Sequence, residues 1–258
     1  NEHDSEKIAG IFNNDGMSKS DDIDSADILF VNTCTIRENA DDKLYGTLGH
    51  LKKWKDQSSE RRLIVGGCAA QKDKELVRER APWVDVVIGT HNTNDVINLL
   101  NQSEDWGPIT QIIEESKDIE SEILPVRESG FSAFVTIQIG CNNSCTFCIV
   151  PSVRGIEISR RPSDIINEIK NLSNEGIKEI TLLGQNVNSY GRDLMIDNKR
   201  SPYFTQLLYK IHEIDGIERI RFTSPHPKDF KRETLVAVSE LPKIANQIHI
   251  PVQSGSAV

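Results

Sequence analysis

Three thiols fall within a run of eight residues, at Cys141, Cys145 and Cys148, and the loop that carries them holds no fourth Cys and no His. Iron–sulfur clusters are held by Cys thiolates, so three closely spaced thiols suit three irons of a [4Fe–4S] cluster. A fourth ligand would close the set; three leave one iron open, and an open position separates a reactive metal site from a structural one. A zinc loop or a disulfide loop is the alternative, and the missing fourth donor counts against closed zinc. Two further thiols, Cys34 and Cys68, stand alone in the first third of the chain.

These positions need elements to hold them. Residues 134–139 alternate apolar and polar side chains and read as a strand. The three thiols therefore sit on the loop leaving its C-terminal end, where open α/β sheets and barrels gather ligands. Cys34 and Cys68 have the same setting. Residues 26–32 and 62–67 are short apolar runs of the parallel-sheet kind, each followed closely by its cysteine. Helices are expected over 4–15, 38–55, 71–80 and 94–100, with a third strand over 84–88. This alternation predicts a parallel, doubly wound sheet of the Rossmann or flavodoxin kind. Cys34 and Cys68 would then leave neighbouring strands at one edge, their sulfurs on the order of 10 Å apart. They are either ligands or two small core residues, as free Cys often is.

Residues 106–130 change character, with Pro108, Pro125 and an acidic stretch over 114–122, and read as a linker with a short strand near 109–113. Strands over 134–139, 179–183, 219–223 and 247–252 follow, with helices over 163–174, 204–213 and 230–240. The expected division is 1–105, linker 106–130, and 131–258. Net charge is −9, which argues against a nucleic-acid partner until it is divided. Residues 131–258 carry 15 Lys and Arg against 13 Asp and Glu, a net of +2, so the acidity lies in residues 1–130. RNA is permitted but not predicted by charge. An odd count of five cysteines, with no signal peptide and no apolar run of membrane-span length, fits a reducing cytoplasm rather than a secreted disulfide framework or a membrane. No P-loop, nucleophile elbow or paired-His metal motif is present, so hydrolytic chemistry has no support.

The spacing Cys-x3-Cys-x2-Cys, with Phe147 before the last Cys, resembles the signature of radical S-adenosylmethionine (SAM) enzymes. The continuation through Pro151, Arg154 and Gly155 to Ser159, Arg160 and Arg161 is similar to the methylthiotransferase branch. The strings around Cys34, Cys145–Pro151 and 183–188 are similar to its RNA-directed members, which add a methylthio group to C2 of N6-isopentenyladenosine beside the tRNA anticodon. The resemblance implies a partial (β/α) barrel, truncated here after its fourth strand. It implies a SAM-binding cluster on Cys141, Cys145 and Cys148, and a second, auxiliary [4Fe–4S] cluster in the N-terminal domain for which Cys34 and Cys68 are two of three ligands. It also implies tRNA as substrate and an electron-donor protein. An unreactive C2–H needs the cofactor to carry the difficult step, by reductive cleavage of SAM to a radical. Methylthiolation of a ribosomal-protein aspartate, or of another modified tRNA adenosine, and a non-catalytic iron–sulfur module are the alternatives.

The same resemblance points to the strand-end loops as cofactor contacts: Gly184, Gln185 and Asn186 after the second barrel strand, Ser224 after the third, Gln253 after the fourth, and Phe147 in the cysteine loop. His226 shares the Ser224 loop with no assigned role. Arg154, Arg160 and Arg161 are either solvated surface or contacts for a phosphate or the SAM carboxylate. The chain opens within a helix signal and stops after a strand, so it reads as an internal piece. It is expected to lack the strand before Asp4 and its auxiliary ligand, and not to be a competent enzyme alone.

Overall fold

The computed structural model describes residues 2–35, 39–115, 125–127, 129–196, 198 and 201–250, apart from the side chains of 39–41. The fold is mixed α/β with parallel sheets, and the chain divides into two compact units. Unit one is residues 1–126 together with 143–155; unit two is 127–142 together with 156–258. The segment that holds Cys145 and Cys148 thus groups with the first unit, and Cys141 with the second.

Unit one contains α1 (Glu2–Asn14), β1 (Ile28–Thr33), α2 (Asn39–Lys55), β2 (Arg62–Gly67), α3 (Cys68–Asp73) and α4 (Leu76–Arg80). It continues with β3 (Val86–Ile88), α5 (Val96–Trp106), β4 (Ile109–Gln111) and α6 (Val150–Arg154). The four strands form one parallel sheet in the order β1-β2-β3-β4. Successive side chains of a strand point to opposite faces, and both faces here are apolar. Leu63, Val65 and Val87 pack with Leu44, Leu48, Ala69, Ala70 and Val77 from α2, α3 and α4. Ile64, Val86 and Ile88 pack with Ile11 of α1 and Val96, Leu99 and Leu100 of α5. Continuous Val/Ile/Leu runs are what a strand covered on both faces requires.

The expected helix over 71–80 is two helices. α3 begins at Cys68 because Thr33 Oγ1 accepts the N–H groups of Ala69 (3.1 Å) and Ala70 (3.3 Å) and so caps its first turn. It stops at Lys74, whose φ of 52° cannot continue a right-handed helix. The apolar spacing of Ala70 and Val77 runs across that break and conceals it. The third strand is shorter than 84–88, and the segment at 109–113 supplies the parallel edge strand β4.

Unit two contains β5 (Ser132–Thr136), β6 (Gln138–Ile139), β7 (Ile158–Ser159), α7 (Pro162–Asn174), β8 (Glu179–Leu183), α8 (Phe204–His212), β9 (Arg219–Phe222) and α9 (Arg232–Glu240). β5, β8 and β9 form a parallel sheet in the order β5-β8-β9. Val135, Ile180, Leu182, Ile220 and Phe222 bury against Ile165 and Ile169 of α7, Leu207 and Leu208 of α8, and Ala237 of α9. The expected single strand over 134–139 changes partner. Through Thr136 it pairs with β8, and from Gln138 it pairs antiparallel with β7. The Ile137 carbonyl accepts the Arg160 N–H (2.9 Å) at the switch. The strand expected over 247–252 is not formed at 247–250, and 251–252 lie outside the described residues. The next parallel bridge on β9 comes earlier, from Ile220 to Ile244. Pro242, two residues before that bridge, lacks the N–H that a ladder would use.

Candidate functional site

In unit one the strand ends are fixed by a close backbone approach. Thr33 lies opposite Gly67 in the β1/β2 register, so Cys34 and Cys68 leave adjacent parallel strands at one edge. Gly67 has φ 93°, and a Cβ there would lie 2.6 Å from the Thr33 carbonyl oxygen, which admits glycine alone. Cys34 is half-buried and Cys68 is buried.

A side chain distant in sequence completes this edge. Arg154, the last residue of α6, donates from Nε to Cys68 Sγ at 3.2 Å and from Nη2 to Asp4 Oδ2 at 2.6 Å. Burial alone would raise the Asp4 carboxyl, but the charge and hydrogen bond of Arg154 outweigh it and hold Asp4 well below the usual carboxylate range. Burial likewise opposes the guanidinium charge, and Asp4 more than restores it. His91 is held below the ordinary imidazole range, first by burial and then by the Arg154 charge. α6 is fastened here a second time, by the Thr90 hydroxyl donating to the Val153 carbonyl (2.6 Å).

Cys145 and Cys148 are exposed on a turn closed by the Cys148 N–H to the Cys145 carbonyl at 3.1 Å, and Phe147 beside them is 99% exposed. Cys141, in unit two, is buried and follows Gly140 at φ 71°. No cysteine forms a disulfide. In kind, the donor set fits an iron–sulfur cluster: thiols alone, two of them on an exposed turn. Among the described residues no three His, Cys, Asp or Glu side chains converge on one metal position.

In unit two the loops after the strands form a polar lattice. Asn186 Nδ2 donates to Asp229 Oδ2 (2.8 Å), and Arg192 Nη2 to Asp229 Oδ1 (2.8 Å). Those bonds and charges overcome the burial of Asp229 and lower its carboxyl. Asn188 clasps the backbone of His226, donating to its carbonyl (2.9 Å) and accepting its N–H (2.8 Å). Gln138 Nε2 donates to Ser189 Oγ (3.1 Å), which in turn donates to the Asn186 carbonyl (2.8 Å). Glu157 is buried beside Ser189, and burial raises its carboxyl. Gln138 Oε1, Glu157 Oε1, Gln185 Oε1 and Asn186 Oδ1 are buried acceptors without a partner among the described residues.

The sequence-selected residues divide accordingly. Gly184 and Asn186 are buried and Gln185 half-buried on the loop after β8. Ser224 is exposed at φ 55°, its carbonyl accepting the Val187 N–H (3.4 Å). Gln253 lies outside the described residues. Of the three arginines, Arg154 is taken up by Asp4 and Cys68, and Arg160 by Glu168 (2.6 Å) and the Thr136 carbonyl (2.8 Å); Arg161 is exposed. Gln138, Glu157, Ser189, Arg192 and Asp229 were not selected from the sequence. Asp229 follows closely on the loop of Ser224 and His226, and Ser189 lies in the same loop as Gly184, Gln185 and Asn186, three residues past the last of them. Glu157 and Arg192 carry no local signal, since only folding brings them to the lattice.

Residues 135–257 match the Radical SAM superfamily, and residues 1–89 match the uncharacterized protein family UPF0004. The radical SAM match spans just under half of the chain, and that superfamily's chemistry uses a [4Fe–4S] cluster and SAM. The chain is 49% identical over 260 residues to the tRNA-2-methylthio-N(6)-dimethylallyladenosine synthase of Cutibacterium acnes, covering 99% of this chain and 52% of that protein. It is 48% identical over 258 residues to the protein of the same name from Salinispora arenicola, covering 99% and 51%. The chain thus spans about half the length of the curated relatives it matches. Two solved folds are similar. One is the cobalamin-dependent SAM radical enzyme OxsB with aqua-cobalamin (TM-score 0.61, 16% identity, 98% of this chain and 42% of that one). The other is the radical SAM methyltransferase TsrM from Kitasatospora setae (TM-score 0.60, 12% identity, 95% and 55%). No helix among the described residues is long and apolar enough to cross a membrane.

Proposed function

We propose that the protein is a radical SAM methylthiotransferase adding a methylthio group to C2 of N6-isopentenyladenosine next to the anticodon of tRNA. The observation that carries this reading is near-50% identity along 99% of the chain to synthases named for that nucleoside, with Cys141, Cys145 and Cys148 within the matched radical SAM segment. Cys141, Cys145 and Cys148 would hold the SAM-binding cluster. Bound there, the cluster would supply the electron that cleaves SAM. Cys34 and Cys68 would be two of the ligands of an auxiliary cluster; their departure from adjacent strands at one edge supports this.

The finer architecture belongs to the same proposal. Residues 1–105 form a doubly wound domain, 106–130 a linker that also lends the edge strand β4 to the first sheet, and 131–258 a partial (β/α) barrel. Helices on both faces of the first sheet support the doubly wound reading, and the parallel order β5-β8-β9 supports the barrel reading. The protein's own contribution is to bind, orient and exclude water. The buried acceptors of Gln138, Glu157, Gln185 and Asn186 suit a ligand rich in N–H groups, as SAM is, because buried polar atoms require partners. Gly184, Ser224, Gln253 and Phe147 complete the proposed contacts. An electron-donor protein and a cytoplasmic setting complete the reading.

The test is anaerobic reconstitution of the protein as its gene encodes it, with iron, sulfide, SAM and a reductant. Isopentenylated tRNA is offered in one tube and ribosomal protein S12 in the other. Methylthiolated adenosine by mass spectrometry is the expected product. A methylthio group on S12 alone, or SAM cleavage with neither product, overturns the substrate assignment.

A further inference from the structure

Arg154 is the residue of unit one that the proposed chemistry leaves unused. Two groups receive its hydrogen bonds: the Cys68 sulfur and the Asp4 carboxylate. Both partners are fixed by other means. Cys68 starts α3 under the Thr33 cap and directly after Gly67, where the backbone approach to Thr33 leaves no room for a Cβ; Asp4 lies in the first turn of α1. Arg154 ends a helix only five residues long that begins two residues after Cys148. Arginine suits this place because its planar fork donates in two directions at once, which lysine cannot reproduce. The pair with Asp4 is partly shielded, with 16% of the Arg154 side chain and 35% of the Asp4 side chain exposed.

We infer that Arg154 is a positioning residue: it fixes the Cys68 sulfur against the sheet edge and ties α6, and with it the turn bearing Cys145 and Cys148, to that edge. The two groups of thiols are thereby mechanically linked within one unit. The role of Cys68 as a cluster ligand rests on the function proposed above; the hold of Arg154 on Cys68 does not.

Two measurements separate these statements. In the metal-free, reduced chain, amide hydrogen exchange of α3 and α6 is followed for wild type, Arg154→Gln, Cys68→Ala and the double variant. Losing charge-assisted hydrogen bonds should speed exchange in α6 about tenfold in Arg154→Gln. The increment should shrink when Cys68 is already Ala, since the cycle isolates the pair. Arg154→Lys, which keeps the charge, should fall between. Unchanged exchange of β2 and β3 shows that unit one stays folded. Equal increments in both Cys68 backgrounds overturn the inference. The second measurement uses the protein as its gene encodes it, with Cys141, Cys145 and Cys148 all changed to Ala, reconstituted with iron and sulfide. If iron binds, Arg154→Gln should lower the reduction potential of that cluster, because a cation and an N–H on a cluster sulfur favour the reduced form. An unmoved potential overturns the inference. If no iron binds, the ligand reading of Cys68 fails, and the exchange cycle still decides the role of Arg154.

Discussion

The two parallel sheets end in different chemistry. The first ends in small thiols, with one guanidinium laid on the Cys68 sulfur and the Asp4 carboxylate. The second ends in amides and carboxylates, the Asn186, Asp229 and Arg192 lattice and the Gln138, Ser189 and Glu157 knot. Thiols are soft donors for a metal that stays in place, and a fixed cation beside them sets charge. Amide and carboxylate oxygens left unpartnered are suited to a ligand that enters and leaves with its own N–H donors. Under the proposed function, the same strand-to-loop geometry would serve as a cofactor edge in one unit and a recognition edge in the other.

The sharpest way to break that comparison is to remove a thiol. Cys145→Ala or Cys148→Ala should abolish SAM cleavage by the reconstituted gene product and lower its bound iron. Asn186→Ala should keep the iron and weaken SAM binding. Iron analysis with 5′-deoxyadenosine release checks both. Iron retained in full by a thiol variant would erase the distinction between the two edges.

Next in size is Asp229→Ala, which strands the buried Asn186 Nδ2 and leaves the half-exposed Arg192 without its acceptor. Leaving such donors unpaired costs about 1–3 kcal/mol, to be read from urea unfolding. Asp229→Asn retains one acceptor and should cost less. If both variants cost nothing, the lattice is solvated and the recognition edge is not preorganised.

Much of the frame was legible because strands and cysteines carry local signals. Short Val/Ile/Leu runs gave the positions of β1, β2 and β8, and the residue after each strand could be named in advance. What resisted reading was everything set by tertiary partners. The break of α3 at Lys74 depends on one left-handed residue beneath an uninterrupted apolar spacing. The switch from β5 to β6 depends on β7, a two-residue partner some twenty positions away. Arg154 read as surface or as a phosphate contact because three arginines close together look solvated; only the fold brings Asp4, 150 positions earlier, to meet it.

The Asp4–Arg154 pair sharpens the comparison through pH. The Asp4 carboxyl is depressed in the folded chain, so its stabilisation is present above the unfolded value of about 3.9 and is lost as pH falls through the folded one. Wild type should therefore lose stability more steeply than Asp4→Asn as the pH drops below about 4, and the two should differ most near neutrality. Melting temperatures across that window check it; parallel curves would mean the pair is solvated.

Glu157 gives the smallest effect and the opposite sign. Burial raises its carboxyl, so the neutral acid is the form the fold prefers. A raised carboxyl supports the fold fully below its unfolded value and withdraws that support as pH rises through the folded value. Glu157→Gln keeps the shape and the hydrogen-bonding tip without the charge. The variant should match wild type at pH 4 and melt at a higher temperature than wild type at pH 8. Arg192 bears on the sign, because its charge partly stabilises the ionised form while Asp193 and Asp229 oppose it. Removing that cation by Arg192→Gln should therefore widen the gap between Glu157 and Glu157→Gln at pH 8. Should Glu157→Gln instead melt lower at pH 8, the carboxylate is charged and paired in the folded chain, and the second sheet edge would carry a fixed charge much as the first does.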